Sequence, residues 1–344
     1  MAPPAPGIKV NADGVPDFDA LPLREGDPPY SAWGLYGADD ELGTLNRLTD
    51  ERVAAAAQGE IRTGKRISLN WPLDAQPGRA FFQRATFRQE MMAKAPLAVN
   101  DDVWTFNSQV STQWDGLRHF AYQGARRFYG GRTQKDIHGQ GRDEDGKEGG
   151  KGTVLGIHAW AEQGIIGRAI LIDYHGWRES QGVAAKPFDS FATSPIPLED
   201  LKACLAAQGT EVKFGDILFV RTGFHLARSG KNPAEIWDHH EKVPHPFGGV
   251  QQSEEMLRWI WSSFAAVAGD HPTFECWPPW TQVKEWSLHE VLLSGWGCPI
   301  GELFDLEALA AHCRASKRWS FFLSSEPCYV PGGVASPANA VAIF

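Results

Sequence analysis

The sequence predicts an α/β domain, a layered mixed sheet with flanking helices, and three observations carry that prediction. From residue 155 onward, short apolar runs of strand character alternate with longer runs that read as helices. The helix-like runs open on Ser or Asp and stop at Gly, as caps require. The composition, 42% hydrophobic and 22% charged over 344 residues, is that of a globular chain able to bury a large core.

Taken in order, residues 1–30 are rich in Pro, Gly and Asp and lack periodicity. They are expected to form an extended arm on the surface or on a neighbouring subunit. Residues 31–344 are read as one domain. Residues 33–47 are loop-like; Thr49 or Asp50 then caps a short Ala-rich helix ending near Gly59. Residues 66–70 alternate as a strand does, and Phe81, Phe82 and Phe87 fall in a stretch without a pattern.

Residues 130–152 are dense in Gly and charge and are expected to be a surface flap. Gly146-Lys147 within it imitates a phosphate loop, but Glu148 stands where Ser or Thr is needed and no strand precedes it. A helix then carries His158 and Trp160 to Gly164, followed by a strand over 168–174. A helix over 198–208 stops at Gly209, and a strand covers 216–222. His239, His240 and His245 sit in a charged, Pro-interrupted segment that reads as surface loop. Ser253 caps a helix with Glu254 and Glu255 in its first turn, where the dipole favours them. A strand over 264–270, a helix capped by Ser287 and a helix over 306–315 capped by Asp305 come next. Strands over 319–324 and 340–344 close the chain.

Several function classes are excluded. A net charge of -9 offers no basic patch for phosphate neutralisation, so no nucleic-acid partner is expected. No apolar run is long enough to span a membrane, and the first residues lack a signal pattern. Five scattered Cys suit a reducing cytoplasm and neither a disulfide framework nor a zinc finger. There is no Gly-x-Ser-x-Gly elbow. The 14 Trp exceed what a core needs, which points to an aromatic pocket or a subunit interface. Trp33, Phe81, Phe82 and Trp114 are the residues expected against a small-molecule substrate, and a homodimer or higher homo-oligomer is expected.

The chemistry concentrates in residues 107–123, which hold Gln109, Gln113, Asp115 and His119. On an extended segment Gln113 and Asp115 share a face with Gln109, and a turn at Gly116 returns His119 to it. Oxygen donors beside one imidazole suit a cation with a base at its edge. A polar strand edge accounts for the stretch equally well.

The block resembles the motif of the metal-dependent cyclase family, which includes bacterial kynurenine formamidases and isatin hydrolases: His-x-Gly-Thr-His-x-Asp-x-x-x-His. Its first His falls on Gln109, its Gly on Ser111, its Thr on Thr112, its second His on Gln113, its Asp on Asp115 and its last His on His119. Two imidazoles have become amides. Residues 33–47, 214–223 and 330–344 also look like the family's signatures, as do the surroundings of His289 and Glu302, so the likeness runs over 33–344. It implies a swivelling β/β/α fold and one divalent metal ion, Mn or Zn, held by Gln113, Asp115, His289, Glu302 and Gln109. It further implies hydrolysis of an amide, lactam or lactone without a covalent intermediate. His119 would be the general base, and Glu302 is counted as catalytic as well as a ligand. Two Gln in place of two His should favour a harder ion than zinc. The alternative is a cyclase, dehydratase or lyase that uses His119 and Glu302 as acid and base with little or no metal.

Overall fold

The computed structural model describes residues 7–139, 152–182, 188–279 and 286–344. Its strands in chain order are β1 (Arg66–Ser68), β2 (Arg88–Ala93), β3 (Asn100–Thr105), β4 (Gln113–Asp115), β5 (Ile165–Ile172), β6 (Pro195–Ile196) and β7 (Asp216–Val220). There follow β8 (Gly249–Val250), β9 (Phe264–Gly269), β10 (Ile300–Glu302), β11 (Ser320–Ser325), β12 (Ala335–Pro337) and β13 (Ala340–Ile343). Nine of them form one sheet in the order β1-β13-β11-β5-β7-β9-β10-β4-β12. Its centre, β5-β7-β9-β10, is parallel, and both flanks are antiparallel. β7 and β9 are buried at every position, as strands covered on both faces must be.

The sequence-based helices hold with small shifts. Thr49 caps Asp50–Glu60, and Ser253 caps Glu254–Ser263 by accepting from the Met256 N–H at 3.2 Å. Leu198–Gln208 ends at Gly209, which sits at φ 62°, where Gly carries no Cβ penalty. The strand expected over 168–174 runs instead from Ile165 to Ile172, because Asp173 leaves it to cap the helix Tyr174–Gln181. Asp305 bonds the Glu307 N–H at 3.2 Å at the start of Glu307–Ser316.

The N-terminal arm packs on its own chain over residues 7–30. Val15, Phe18 and Leu21 are buried, the Trp261 indole donates to the Pro16 carbonyl at 2.8 Å, and Arg258 pairs with Asp19 at 2.6 Å. Of the flap, residues 140–151 lie outside the described residues. The part before them is not all loop: Gln134–His138 is a helix with a capping box from Thr133 and Asp136. The loop expected around the three histidines is also corrected. Pro233–Glu241 is a helix, and His239, His240 and His245 are buried among Phe81, Phe82, Phe191 and Phe247. Charged neighbours on its outer face had hidden the inner one.

Gly301, in the middle of β10, shows how tightly the strand beside the site is set. A Cβ there would lie 2.6 Å from the Phe304 ring, 2.7 Å from Ala268 Cβ and 2.8 Å from the Trp114 ring. Gly301→Ala should therefore lower unfolding stability by about 1–3 kcal/mol, as overpacking does. Urea denaturation checks this, and an unchanged midpoint would show that the strand has room to shift.

Candidate active site

Two strands and one helix start meet at a single point. β4 turns Gln113 and Asp115 to one face and Trp114 to the other. Its antiparallel register with β10 sets Glu302 directly opposite Gln113. The Gln113 amide consequently donates to Glu302 Oε2 at 2.9 Å, and at 3.3 Å to Asp115 Oδ1. After β4 the chain turns at Gly116, whose carbonyl accepts the His119 N–H at 2.9 Å. That turn brings His119 Nε2 to 3.7 Å from Asp115 Oδ2. Gln109 reaches in from the preceding loop: its amide donates to Asp115 Oδ1 at 2.8 Å and lies 3.2 Å from His119 Nδ1.

His289 arrives from the far side. Ser287 and Glu290 close a reciprocal cap, with the Ser287 N–H on Glu290 Oε2 at 2.7 Å and the Glu290 N–H on Ser287 Oγ at 3.3 Å. The segment then continues as a π-helix, Glu290–Trp296. Such widened turns are common beside functional sites. Glu275 fixes the histidine. Its carboxylate accepts the Leu288 N–H at 2.9 Å, the His289 N–H at 2.8 Å and His289 Nδ1 at 2.6 Å. The Gln252 amide donates to it as well. With Nδ1 so held, His289 Nε2 is aimed at Glu302 Oε1, 3.3 Å away.

The environment separates the two imidazoles. Burial pushes His119 down to about 4, only partly offset by Asp115. Burial also opposes charge on His289, but its hydrogen bonds to Glu275 and Glu302 prevail and raise it to about 10. Glu302 is lifted to about 7 by burial and by the neighbouring Asp115 charge, against the pull of His289. With no metal bound, His119 is thus a free base at neutral pH and His289 is held protonated between two carboxylates; a divalent cation would take the place of the proton on His289 Nε2.

Two buried oxygens, Gln113 Oε1 and Asp115 Oδ2, have no hydrogen-bond partner. An unsatisfied buried oxygen costs about 1–3 kcal/mol, more when charged, so two on one strand face call for a partner. One ligand atom each from Asp115, His119 and His289 also fall within 4.8 Å of one another. Oxygen and nitrogen donors so arranged fit a divalent cation.

Above this floor opens a cavity of about 240 Å³ lined by Phe82, Arg84, His119, Phe120, Pro272, Thr273, Trp277, His289 and Glu302. Apart from His119, His289 and Glu302, its walls are largely apolar, with Arg84 and Thr273 the exceptions. The Arg84 guanidinium donates to the Gln109 carbonyl at 2.9 Å and has no acidic partner among the described residues.

The structure brings together Gln109, Gln113, Asp115, His119, His289 and Glu302, although some 190 positions separate the ends of the set. Glu302 comes from the end of a strand, because the register with β4 extends pairing through it. Of the expected aromatic residues, Phe82 lines the cavity and three do not. Trp114 is fully buried on the opposite face, bonded to Ser325 Oγ at 2.9 Å, because it alternates with Gln113 and Asp115. The Trp33 indole is spent on the Ser294 carbonyl, and Phe81 packs against Phe224 and Phe247. The sequence reading gave no role to Glu275, Arg84 or Trp277. A lone acid inside the apolar run Pro-Thr-Phe-Glu-Cys-Trp was the one available signal, since such a carboxylate must be paired if buried.

Together the mixed sheet with flanking helices and the amide–carboxylate–imidazole floor define an enzyme-like α/β domain. The chain belongs to the Cyclase family, whose model matches residues 43–275. A solved structure described as a novel cyclase is 31% identical, with a TM-score of 0.75 over 91% of this chain and 99% of its own. Isatin hydrolase A from Ralstonia solanacearum shares the fold at 16% identity and a TM-score of 0.55, over 86% of this chain and 98% of its own. An isatin hydrolase bound to the product analogue thioisatinate shares it at 12% identity and a TM-score of 0.51, over 85% and 95%. Comparison with curated proteins finds no match. No helix among the described residues is long and apolar enough to cross a membrane.

Glu275 is the residue on which the position of His289 rests. Glu275→Ala would strand two backbone N–H groups and one imidazole in a buried setting, and should cost about 2–5 kcal/mol. Chemical denaturation measures it. A loss below about 1 kcal/mol would mean that water or Gln252 replaces the carboxylate.

Proposed function

We propose that the protein is a metal-dependent hydrolase that opens an amide, lactam or lactone bond of a small, largely apolar substrate. The observation that carries this reading is that Asp115, whose buried Oδ2 has no hydrogen-bond partner, lies within ligand distance of His119 and His289, both of which line the cavity, with the partnerless Gln113 Oε1 on the same strand face. Asp115, Gln113 and His289 would hold one divalent cation, with Glu302 Oε1 next to the His289 ring as a further oxygen. The group supplies polarisation of the scissile carbonyl and a lowered pKa for a bound water.

The chain's own residues do the rest. His119, neutral at working pH and open to the cavity, takes a proton from the attacking water and returns it to the leaving nitrogen or oxygen. Gln109 holds Asp115 and the His119 ring in register through its amide. Glu275 fixes the Nδ1 side of His289 so that Nε2 faces the site. Phe82, Phe120 and Trp277 enclose the flat apolar part of a substrate and exclude water. Arg84 gives the cavity a fixed positive charge, suited to a carbonyl oxygen that gains negative charge during attack. The amide ligand makes the set harder than three imidazoles would be, which favours Mn²⁺ over Zn²⁺. The protein is proposed to act as a cytoplasmic homo-oligomer.

One observation favours the alternative, a lyase or dehydratase without metal. The Gln113 amide already bridges Asp115 and Glu302, and Glu302 lies near 7, well placed to exchange a proton with substrate. Turnover that survives complete chelation would select that reading. A panel of lactams, lactones and N-formyl arylamines, assayed with and without Mn²⁺ and Zn²⁺, tests the main one. Hydrolysis that needs added metal is the expected result, and no hydrolysis across the panel counts against it.

Two substitutions probe the roles. His119→Ala should lower kcat by roughly 10²–10⁴-fold with metal content unchanged; loss of the metal instead would make His119 a ligand. Gln113→His should tighten zinc binding, since imidazole is the better zinc ligand. Zinc affinity unchanged in a competition titration would place Gln113 against the substrate and not the metal.

A further inference from the structure

A second pocket, of about 380 Å³, opens between residues 77–79, the segment 228–231 and the helix Pro233–Glu241. Its polar lining is mostly cationic: Arg79, Arg228 and Lys231 line it with Ser229 and His240. Negative charge is scarce there. Glu241 pairs with Arg79 and is well exposed, while Glu235 is used in the helix cap with Asn232. No acid among the described residues pairs with Arg228 or Lys231; their cations lie over the rings of Trp71 and Phe191, at 4.9 Å each.

Two polar groups at this pocket lack partners. Arg228 Nε is buried and unbonded, although the Arg228 guanidinium is anchored to the Ala75 carbonyl at 3.1 Å. His240, 4% exposed, has a buried Nδ1 without a partner. Arg79 is itself held in place over the Trp237 ring, at 5.2 Å. Burial pushes His240 down to about 4, with His245, Arg79 and Arg228 adding to the shift and Glu241 opposing it. The pocket is separate from the active-site cavity. Phe81 stacks on His240 at 4.8 Å, and the next residue, Phe82, faces the other way into the cavity.

We propose that this cleft is a second ligand site, specific for a small metabolite bearing a phosphate or several carboxylates, which Arg228, Lys231 and Arg79 would bind. Preset cations with unused donors give charge-assisted bonds to an oxyanion without first having to break an ion pair, except at Arg79. The stacked rings limit how much side-chain freedom is lost when it arrives.

The test is calorimetric titration of the full chain with inorganic phosphate and, separately, with citrate, at ionic strength held constant by chloride. A dissociation constant of about 1 mM or tighter for at least one of them is expected. Phosphate alone would assign a phosphoryl ligand, and citrate alone a polycarboxylate. Lys231→Gln and Arg228→Gln should each weaken binding at least about fivefold. Because Arg228 also packs on Trp71, Lys231→Gln decides the matter if Arg228→Gln does not fold. No heat with either anion up to 10-fold above that concentration, or undiminished binding in a folded Lys231→Gln protein, would overturn the proposal.

Discussion

Everything at the active site follows from three carboxylates, Asp115, Glu275 and Glu302, held in a buried space with two imidazoles. Charges taken out of water cost several kcal/mol each unless they are paired and hydrogen-bonded. Glu275 meets that condition through the backbone of residues 288–289 and the ring of His289. Glu302 meets it partly, through Gln113 and the other side of the same ring. Asp115 does so with one oxygen only. Asp115 Oδ2 and Gln113 Oε1, on the same face of β4, are left without a hydrogen-bond partner beside these carboxylates, and that is the physical ground for proposing a divalent cation there.

The fold exists to hold these groups against their mutual repulsion. β4 is only three residues long, yet it is paired on both sides, to β10 and β12, so its register cannot slip without breaking both ladders. Gln113 and Asp115 thereby gain fixed positions from the antiparallel edge, while Glu302 is delivered by the neighbouring strand. His289 enters at a capped helix start, which fixes its direction before the chain widens into the π-helix. Strands thus supply Gln113, Asp115 and Glu302, a helix start supplies His289, and the loop and turn flanking β4 supply Gln109 and His119.

Much of this was legible in the residues. Caps at Thr49 and Ser253 and the stop at Gly209 gave helix boundaries, because a cap is a local bond that sequence alone decides. The shared face of Gln113 and Asp115 followed from the two-residue period, and the same period, applied to Trp114, would have sent that ring to the opposite side. His289 and Glu302 were joined to the first block only by family likeness, since no spacing rule links residues so distant. Glu275 escaped because its role depends on which backbone N–H groups it meets, and that is decided by tertiary structure. The histidines at 239, 240 and 245 were misplaced for a related reason: the first two lie on an amphipathic helix and the third just after it, and the helix's charged outer face dominates the composition.

Gln109 and Gln113 stand where the motif that the sequence resembles has imidazoles. As amides they both accept and donate, and here each donates to a carboxylate. They therefore moderate the negative charge of the floor while leaving Gln113 Oε1 free to face a cation. Under the proposed reading, amide ligands would trade affinity for zinc against tolerance of a harder ion. The most direct measurement is an anomalous-diffraction map from crystals soaked in Mn²⁺. The account predicts one peak per chain within about 2.0–2.6 Å of Asp115 Oδ2 and His289 Nε2. A fully soaked crystal with no peak there would contradict it.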